Sequence, residues 1–264
     1  MPEGDTILRA ATTLHARLAG RPVLRWSSPL PALINVHVLG QKILRVDAVG
    51  KNLFIVFEDG RALHSHMRMS GSWHVYPQTT SPRSFPGTAR VMIEVEGCVA
   101  VCFNAPVVRM LSSAQVQREV AALGPDILSP TFDVIDAARR ILAAGDRPVG
   151  DAIMDQSILA GIGNIYKSES LFVTKLDPFA SSASLGLEKL RALVTQARRL
   201  MHRNLSPSTG MRTTRLGSGS RVWVYKRSGE PCLTCGERIR MRRQGVGQRS
   251  TYYCPACQNT EPAS

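Results

Sequence analysis

Four cysteines near the C-terminal end carry the clearest chemistry in this sequence. Cys232-x2-Cys235 is followed by Cys254-x2-Cys257 in "EPCLTCGERIRMRRQGVGQRSTYYCPACQ". Each C-x2-C pair forms a tight turn that aims two thiolates at one point, and two pairs close a tetrahedron. This predicts one structural zinc ion with no open coordination position. A segment so short needs the metal, because burial alone cannot hold it. Between the pairs lie five arginines and two tyrosines in strand-like runs around a glycine turn. A zinc-held β-hairpin of that kind suits phosphate contact, although each arginine taken singly reads as a solvated charge. Two further stretches hold candidate chemistry. "MPEGDTILRA" puts a proline directly behind Met1, which reads either as a frayed terminus or as a chemical group. "DQSILAGIGNIYKSESLF" joins two helical runs through Gly161 and Gly163. Asn164 would stand where an N-cap belongs, and a helix start of this type binds phosphate. An ordinary helical hairpin with packing glycines has the same pattern.

The elements that must position these groups follow from periodicity. "TILRAATTLHARLAG" spaces Ile7, Leu8, Ala11, Leu14 and Leu18 as a helix, with Gly20 ending it. Short alternating runs follow: "PVLRW", "KILRVDAVG", "NLFIVFE", "ALHSHM", "SWHVY", "RVMIEVE" and "CVAVCF". They predict an antiparallel sheet folded into a sandwich or barrel from about 20 to 110. Cys98 and Cys102 in the last run read as buried strand residues. After Pro106 the period becomes helical, in "AQVQREVAALG", "DVIDAARRILAAG", "VGDAIMDQ", "NIYKSESLF" and "LEKLRALVTQARRLMHRNL". "SPSTGMRTTRLGSGS" reads as a mobile linker. The expected domains are 1–110, 111–220 including the linker, and 221–264.

Of the 264 residues 44% are hydrophobic, enough for a sizeable core, and no apolar run is long enough for a membrane span. Lys and Arg total 33 against 20 acids, a formal charge of +13. That surplus points to a polyanion, nucleic acid first, over an unspecific basic surface. The N-terminal stretch shows no secretion signal, so a reducing, cytoplasmic setting without disulfides is expected.

Three distant pieces, "PEG", "LAGIGNIYKSE" and the four-cysteine end, together resemble the Fpg/Nei family of bifunctional DNA glycosylases. Further matches are Lys51 in "VGKNLF", "HSHMRMSGSW", "YKRSGEPCLTCG" and "QRSTYYCPACQ". The resemblance runs nearly the whole length. It implies an α+β multidomain fold: an N-terminal helix and antiparallel β-sandwich, a helix–two-turn–helix domain, and a C-terminal zinc-bound β-hairpin, with DNA in the cleft between the halves. It implies that Pro2, freed of Met1, is an amine nucleophile and that Glu3 is its proton donor. Lys51 matches the second general acid, Arg249 the finger arginine on the phosphate beside the lesion, and Gly163 with Asn164 the phosphate-binding turn. Glu169 matches a glutamate near the active site, or is a solvated helix charge. Arg68 and Met69 are the candidate wedge that fills the gap left by an extruded base; a Met69 within the core is the other reading. His64 and His66 read as structural.

The oxidised-purine branch carries an Asp-Pro-Arg-Arg-Phe-Gly loop where this chain has "FNAPVVRMLS". The chain looks more like endonuclease VIII, which prefers oxidised pyrimidines. The implied partner is damaged DNA, double-stranded or else single-stranded or bubble, met in the nucleoid by a monomer without organic cofactor or membrane contact. The alternatives are removal of oxidised purines and a non-catalytic zinc-containing DNA-binding module. A zinc-ribbon transcription factor would leave the first hundred residues unexplained.

Overall fold

The stripe Ile7, Ala11, Leu14, Leu18 becomes the buried face of helix α1 (Gly4–Leu18) in the computed structural model, which describes residues 2–79, 87–206 and 212–260. The chain divides into two units, Met1–Ala122 and Leu123–Ser264. In the first, α1 is followed by β1 (Arg25–Ser27), α2 (Pro31–Ile34), β2 (Ile43–Val49), β3 (Asn52–Phe57), β4 (Ala62–His66), β5 (Ser72–Pro77), β6 (Ala89–Val95), β7 (Cys98–Phe103), β8 (Val107–Leu111) and α3 (Ser113–Ala121). Two antiparallel four-stranded sheets form, ordered β1-β6-β7-β5 and β2-β3-β4-β8.

One core joins the sheets to α1. It brings Ile7, Leu14 and Leu18 against Val46, Leu53 and Leu63 of one sheet and Val91, Ile93 and Ala100 of the other. Each such side chain contributes about 1.5–3 kcal/mol by leaving water. Strand β7 is buried on both faces: Cys98 and Cys102 enter this core, while Val101 and Phe103 pack on the other side. Burial accordingly pushes the Cys102 thiol up to about 12, which makes it inert.

Two features of this unit were not expected. "VVRML" forms β8, paired residue for residue with β4. Helix α3, capped by a reciprocal Ser112–Gln115 box, packs on this unit because Val116 and Val120 close over Phe54, Val56, Ala62 and Leu111.

The second unit contains α4 (Val134–Leu142), α5 (Val149–Ala152), α6 (Asn164–Val173), α7 (Ser182–His202), β9 (Arg240–Gln244), β10 (Arg249–Tyr253) and α8 (Pro255–Gln258). The Asp133 side chain accepts the Ile135 and Asp136 N–H groups and caps α4. The expected helix over "VGDAIMDQ" shrinks to one turn, α5. The expected linker needs a partial correction. Residues 207–211 lie outside the described residues, but at 213 and 214 the chain is tied down. Asn204 bridges the carbonyl and N–H of Thr213, and Thr214 is buried. Among the described residues no helix is long and apolar enough to cross a membrane.

Candidate functional site

In the first unit the candidate residues stand at element ends. Pro2 is half-buried and Glu3 fully buried, immediately ahead of α1. The Glu3 carbonyl accepts the Thr6 and Ile7 N–H groups at 2.9 and 3.1 Å, so the helix fixes the backbone that carries the Pro2 nitrogen. The positive end of the helix dipole favours the carboxylates of Glu3 and Asp5 there. Lys51 occupies the β2–β3 turn, after Gly50 at φ +59°. Asn52 pairs with His66 across β3 and β4, which brings His66 beside Lys51. Burial first, then the charges of Lys51 and Arg68, hold the His66 pKa below its ordinary value.

Arg68 adopts left-handed φ +45° and donates its N–H to His66 Nδ1 at 3.2 Å. The next residue, Met69, is 70% exposed, whereas Met67 is 2% exposed and belongs to the core. The reading of Met69 as a core residue is thereby overturned, because the turn at Arg68 sends it outward. His64 points inward. Its Nε2 lies 2.9 Å from Asn52 Oδ1, its Nδ1 3.2 Å from Arg109 Nη2, and its ring stacks on Phe54. Only the neutral tautomer with hydrogen on Nε2 suits both neighbours.

In the second unit the polar groups converge on α6. Gly161 takes φ +105°, and a β-carbon there would stand 3.0 Å from Ile127 Cγ2, so the turn requires glycine. Asn164 is not the N-cap. Gly163 takes that place, and Asn164 is the first helical residue. Its Nδ2 instead donates to the Ser250 carbonyl at 2.6 Å, and its buried Oδ1 meets no donor among the described residues. Arg249 starts β10, exposed, next to Ser250.

Every residue from Asn164 to Phe172 is buried. The polar ones hold the surrounding chain. Ser168 Oγ accepts the Tyr252 N–H at 3.3 Å. The fully buried Glu169 accepts the N–H groups of Trp223, Val224 and Tyr225 at 2.8–2.9 Å and the hydroxyl of Thr214. The reading of Glu169 as a solvated charge fails, since its carboxylate is the acceptor for a whole loop turn. Neither this role nor that of the buried Lys167 was foreseen. The available signal was that Lys167, Ser168, Glu169 and Ser170 are consecutive, so that polar residues fall on all sides of the helix.

Cys232, Cys235, Cys254 and Cys257 bring their sulfurs within 4.8 Å of one another, with Cys232–Cys257 at 3.9 Å and Cys235–Cys254 at 3.5 Å. A tetrahedron of 2.3 Å Zn–S bonds needs about 3.8 Å between sulfurs, so the donor set fits zinc. Burial, together with the thiols of Cys235 and Cys232, pushes Cys254 up to about 11 and also raises Cys257. A cation is what would hold these four as thiolates. The cluster packs through Cys232, Cys254 and Ile239 against Phe172 and Val224.

Comparison with known proteins agrees in all three regions. Residues 1–109 match the formamidopyrimidine-DNA glycosylase N-terminal domain, 123–215 the formamidopyrimidine-DNA glycosylase H2TH domain, and 229–260 the zinc finger found in FPG and IleRS. The chain is 39% identical to the "Probable endonuclease 8 2" of Streptomyces coelicolor, over 98% of this chain and 94% of that one. It is 34% identical to the "DNA-(apurinic or apyrimidinic site) lyase Nei2" of Mycolicibacterium smegmatis, over 98% and 99%. The fold superposes on a Lactococcus lactis formamidopyrimidine-DNA glycosylase, crystallised with DNA containing an AP site, with TM-score 0.82 at 20% identity, covering 98% of this chain and 100% of that one. The chain belongs to the Fpg/Nei family of DNA glycosylases.

Proposed function

We propose that this protein is a base-excision-repair DNA glycosylase with AP lyase activity, acting through an iminium on Pro2. The observation that carries the reading is the Pro2–Glu3 pair: a half-buried proline and a fully buried glutamate set directly ahead of a rigid helix. With Met1 removed, the Pro2 amine attacks C1′ of the damaged nucleoside. The C1′–base bond breaks and the base leaves with a proton. Glu3 protonates the sugar ring oxygen as the ring opens, and C1′ and the Pro2 nitrogen form a charged iminium. The α-amine suits this because its pKa is nearer neutrality than that of a lysine side chain. The iminium acidifies the C2′ hydrogen. Its loss expels the 3′-phosphate by β-elimination, and δ-elimination of the 5′-phosphate follows. Lys51, beside His66, serves as second general acid and phosphate contact.

Arg249 and Asn164 bind backbone phosphate, and Arg68 with Met69 fills the gap left by the extruded base. Exposure of Met69 supports that role. Pairing of Val107–Leu111 as an ordinary strand supports oxidised pyrimidines over oxidised purines, since no separate intercalating loop forms there. The relatives named endonuclease 8 favour the same choice. The four cysteines hold one structural zinc ion, with no organic cofactor, and the protein works as a monomer on DNA of the nucleoid, in the cytoplasm.

Borohydride trapping on abasic and thymine-glycol duplexes tests the mechanism. Processed protein should form a covalent adduct, and the adduct should vanish with Met1 retained or in Pro2→Gly. Absence of any adduct from correctly processed protein would overturn the reading.

A further inference from the structure

Lys167 is fully buried, one turn beyond Asn164 on α6. That is rare for lysine, and a buried ammonium persists only with partners. Its Nζ donates to Thr251 Oγ1 at 2.6 Å. Lysine has donors only, so the Thr251 hydroxyl must accept from it and give its own hydrogen to Gln244 Oε1, 2.7 Å away. Gln244 Nε2 then donates to the Pro178 carbonyl at 2.8 Å. The direction of every bond in this chain is fixed, from α6 through β10 to β9 and the segment before α7.

The chain ends at the base of the hairpin tip. Gln244 is the cross-strand partner of Arg249, and Thr251 lies two residues along on the same face. On the near side, Asp151 couples electrostatically to Lys167. Its carboxylate closes under Gly245, the first residue of the tip, where a β-carbon would stand 2.5 Å from Asp151 Oδ1. Beside this, Asn164 and Ser168 hold the Ser250 carbonyl and the Tyr252 N–H. Three side chains of α6, at positions i, i+3 and i+4, thus grip one strand.

We propose that Lys167 is a positioning residue: through Thr251 and Gln244 it holds Arg249 in register with Asn164, so that the two share a DNA phosphate, while Lys167 itself touches no DNA. This rests on the phosphate role assigned above to Arg249 and Asn164. It separates Lys167 from exposed basic residues such as Arg249, whose effect on affinity would come from their own charge in contact with the polyanion.

The test is binding to an abasic-site duplex across a salt series, with borohydride trapping alongside, for the wild type, Arg249→Gln, Lys167→Met and their double variant. Arg249→Gln should make the negative slope of log K against log salt shallower by about 0.9. Lys167→Met should flatten it equally and raise Kd roughly tenfold, although the removed charge is buried. The double variant should bind no more weakly than Arg249→Gln alone, because both remove one contact. Should Lys167→Met fail to fold, Thr251→Val and Thr251→Ser decide: loss in the first and wild-type behaviour in the second support the proposal. An unchanged slope in Lys167→Met or Thr251→Val, an effect that adds to Arg249→Gln, or an unchanged slope in Arg249→Gln itself would overturn it. A wild type that binds with the expected salt slope but is never trapped would sink the enzymatic reading and leave this one standing.

Discussion

Helices α1 and α6 both begin at residues assigned to chemistry, yet they are built on opposite plans. Helix α1 buries one stripe, Ile7, Ala11, Leu14 and Leu18, and exposes much of the rest. The chemistry proposed for it sits ahead of it, at Pro2 and Glu3. Helix α6 is buried for nine residues running, Asn164 to Phe172. Its polar side chains hold other backbone: Ser250 and Tyr252 of the hairpin, and residues 223–225 of the preceding loop. One helix is an apolar post behind the proposed Pro2 nucleophile. The other is a polar spine from which contact loops hang. On the roles proposed above, stability and activity separate at α1 and merge at α6.

Metal removal should expose this difference most strongly. A structural zinc ion contributes about 10–16 kcal/mol of binding free energy in small modules, and here its ligands share a cluster with Phe172 of α6. Chelation should raise hydrogen exchange across 229–260 and at the C-terminal turn of α6 and weaken DNA binding, while β2–β4 stay protected. Loss of protection in both units at once would break the comparison.

Glu3→Gln is the next largest effect. Loss of the proton donor should slow base release by about 10²–10⁴ in single-turnover assays, with thermal unfolding close to wild type because the apolar stripe of α1 is untouched. A protein that lost activity only because it unfolded would show that α1 and α6 are alike after all.

Glu169→Ala should do the reverse. Three backbone N–H groups lose their acceptor, at about 1–3 kcal/mol each when buried. Denaturant unfolding should report a loss of several kcal/mol, with Glu169→Gln milder because one acceptor oxygen remains. Stability unchanged in Glu169→Ala would remove the carboxylate from the spine.

The same contrast explains what could be read in advance. Alternating runs and glycine turns announced strands β2 to β7, and a period of 3.6 announced α1, α4 and α7, because a half-buried element writes its burial into its apolar pattern. The cysteines announced a metal centre through spacing alone. Helix α6 showed its helical period in "NIYKSESLF" but not its burial. Lys167 and Glu169 look solvated in sequence, and their burial depends on partners that arrive from residues 214, 223–225 and 251. Thr214 lay in a stretch whose Ser, Gly and Thr content reads as linker, and the Glu169 carboxylate together with Asn204 and the Arg221 carbonyl makes it otherwise. Strand β8 was missed because "VVRML" was weighed against an insertion loop, while what decides it is the open edge of β4.

A buried histidine in the sheets of the first unit gives the smallest of these effects. His64 is buried in β4 between Asn52 and Arg109, stacked on Phe54. Burial, then the charge of Arg109, brings its pKa from 6.5 down to about 4. Glu119, which pairs with Arg109 at 3.0 Å, opposes that shift, and His66 adds slightly to it. The imidazole of the unfolded chain therefore takes up its proton first as pH falls. Stability contributed by neutral His64 is complete above about 6.5 and is lost as pH falls toward 4, by at most about 3 kcal/mol. Protonation there would set a hydrogen on Nδ1 against the Arg109 guanidinium. His64→Gln keeps a donor toward Asn52 and does not titrate. Its unfolding free energy, measured by denaturant at several pH values, should fall less steeply between pH 6.5 and 4 than that of wild type. Equal slopes would mean that the acid sensitivity of this unit arises elsewhere, and that its sheets tolerate a buried charge as α6 does.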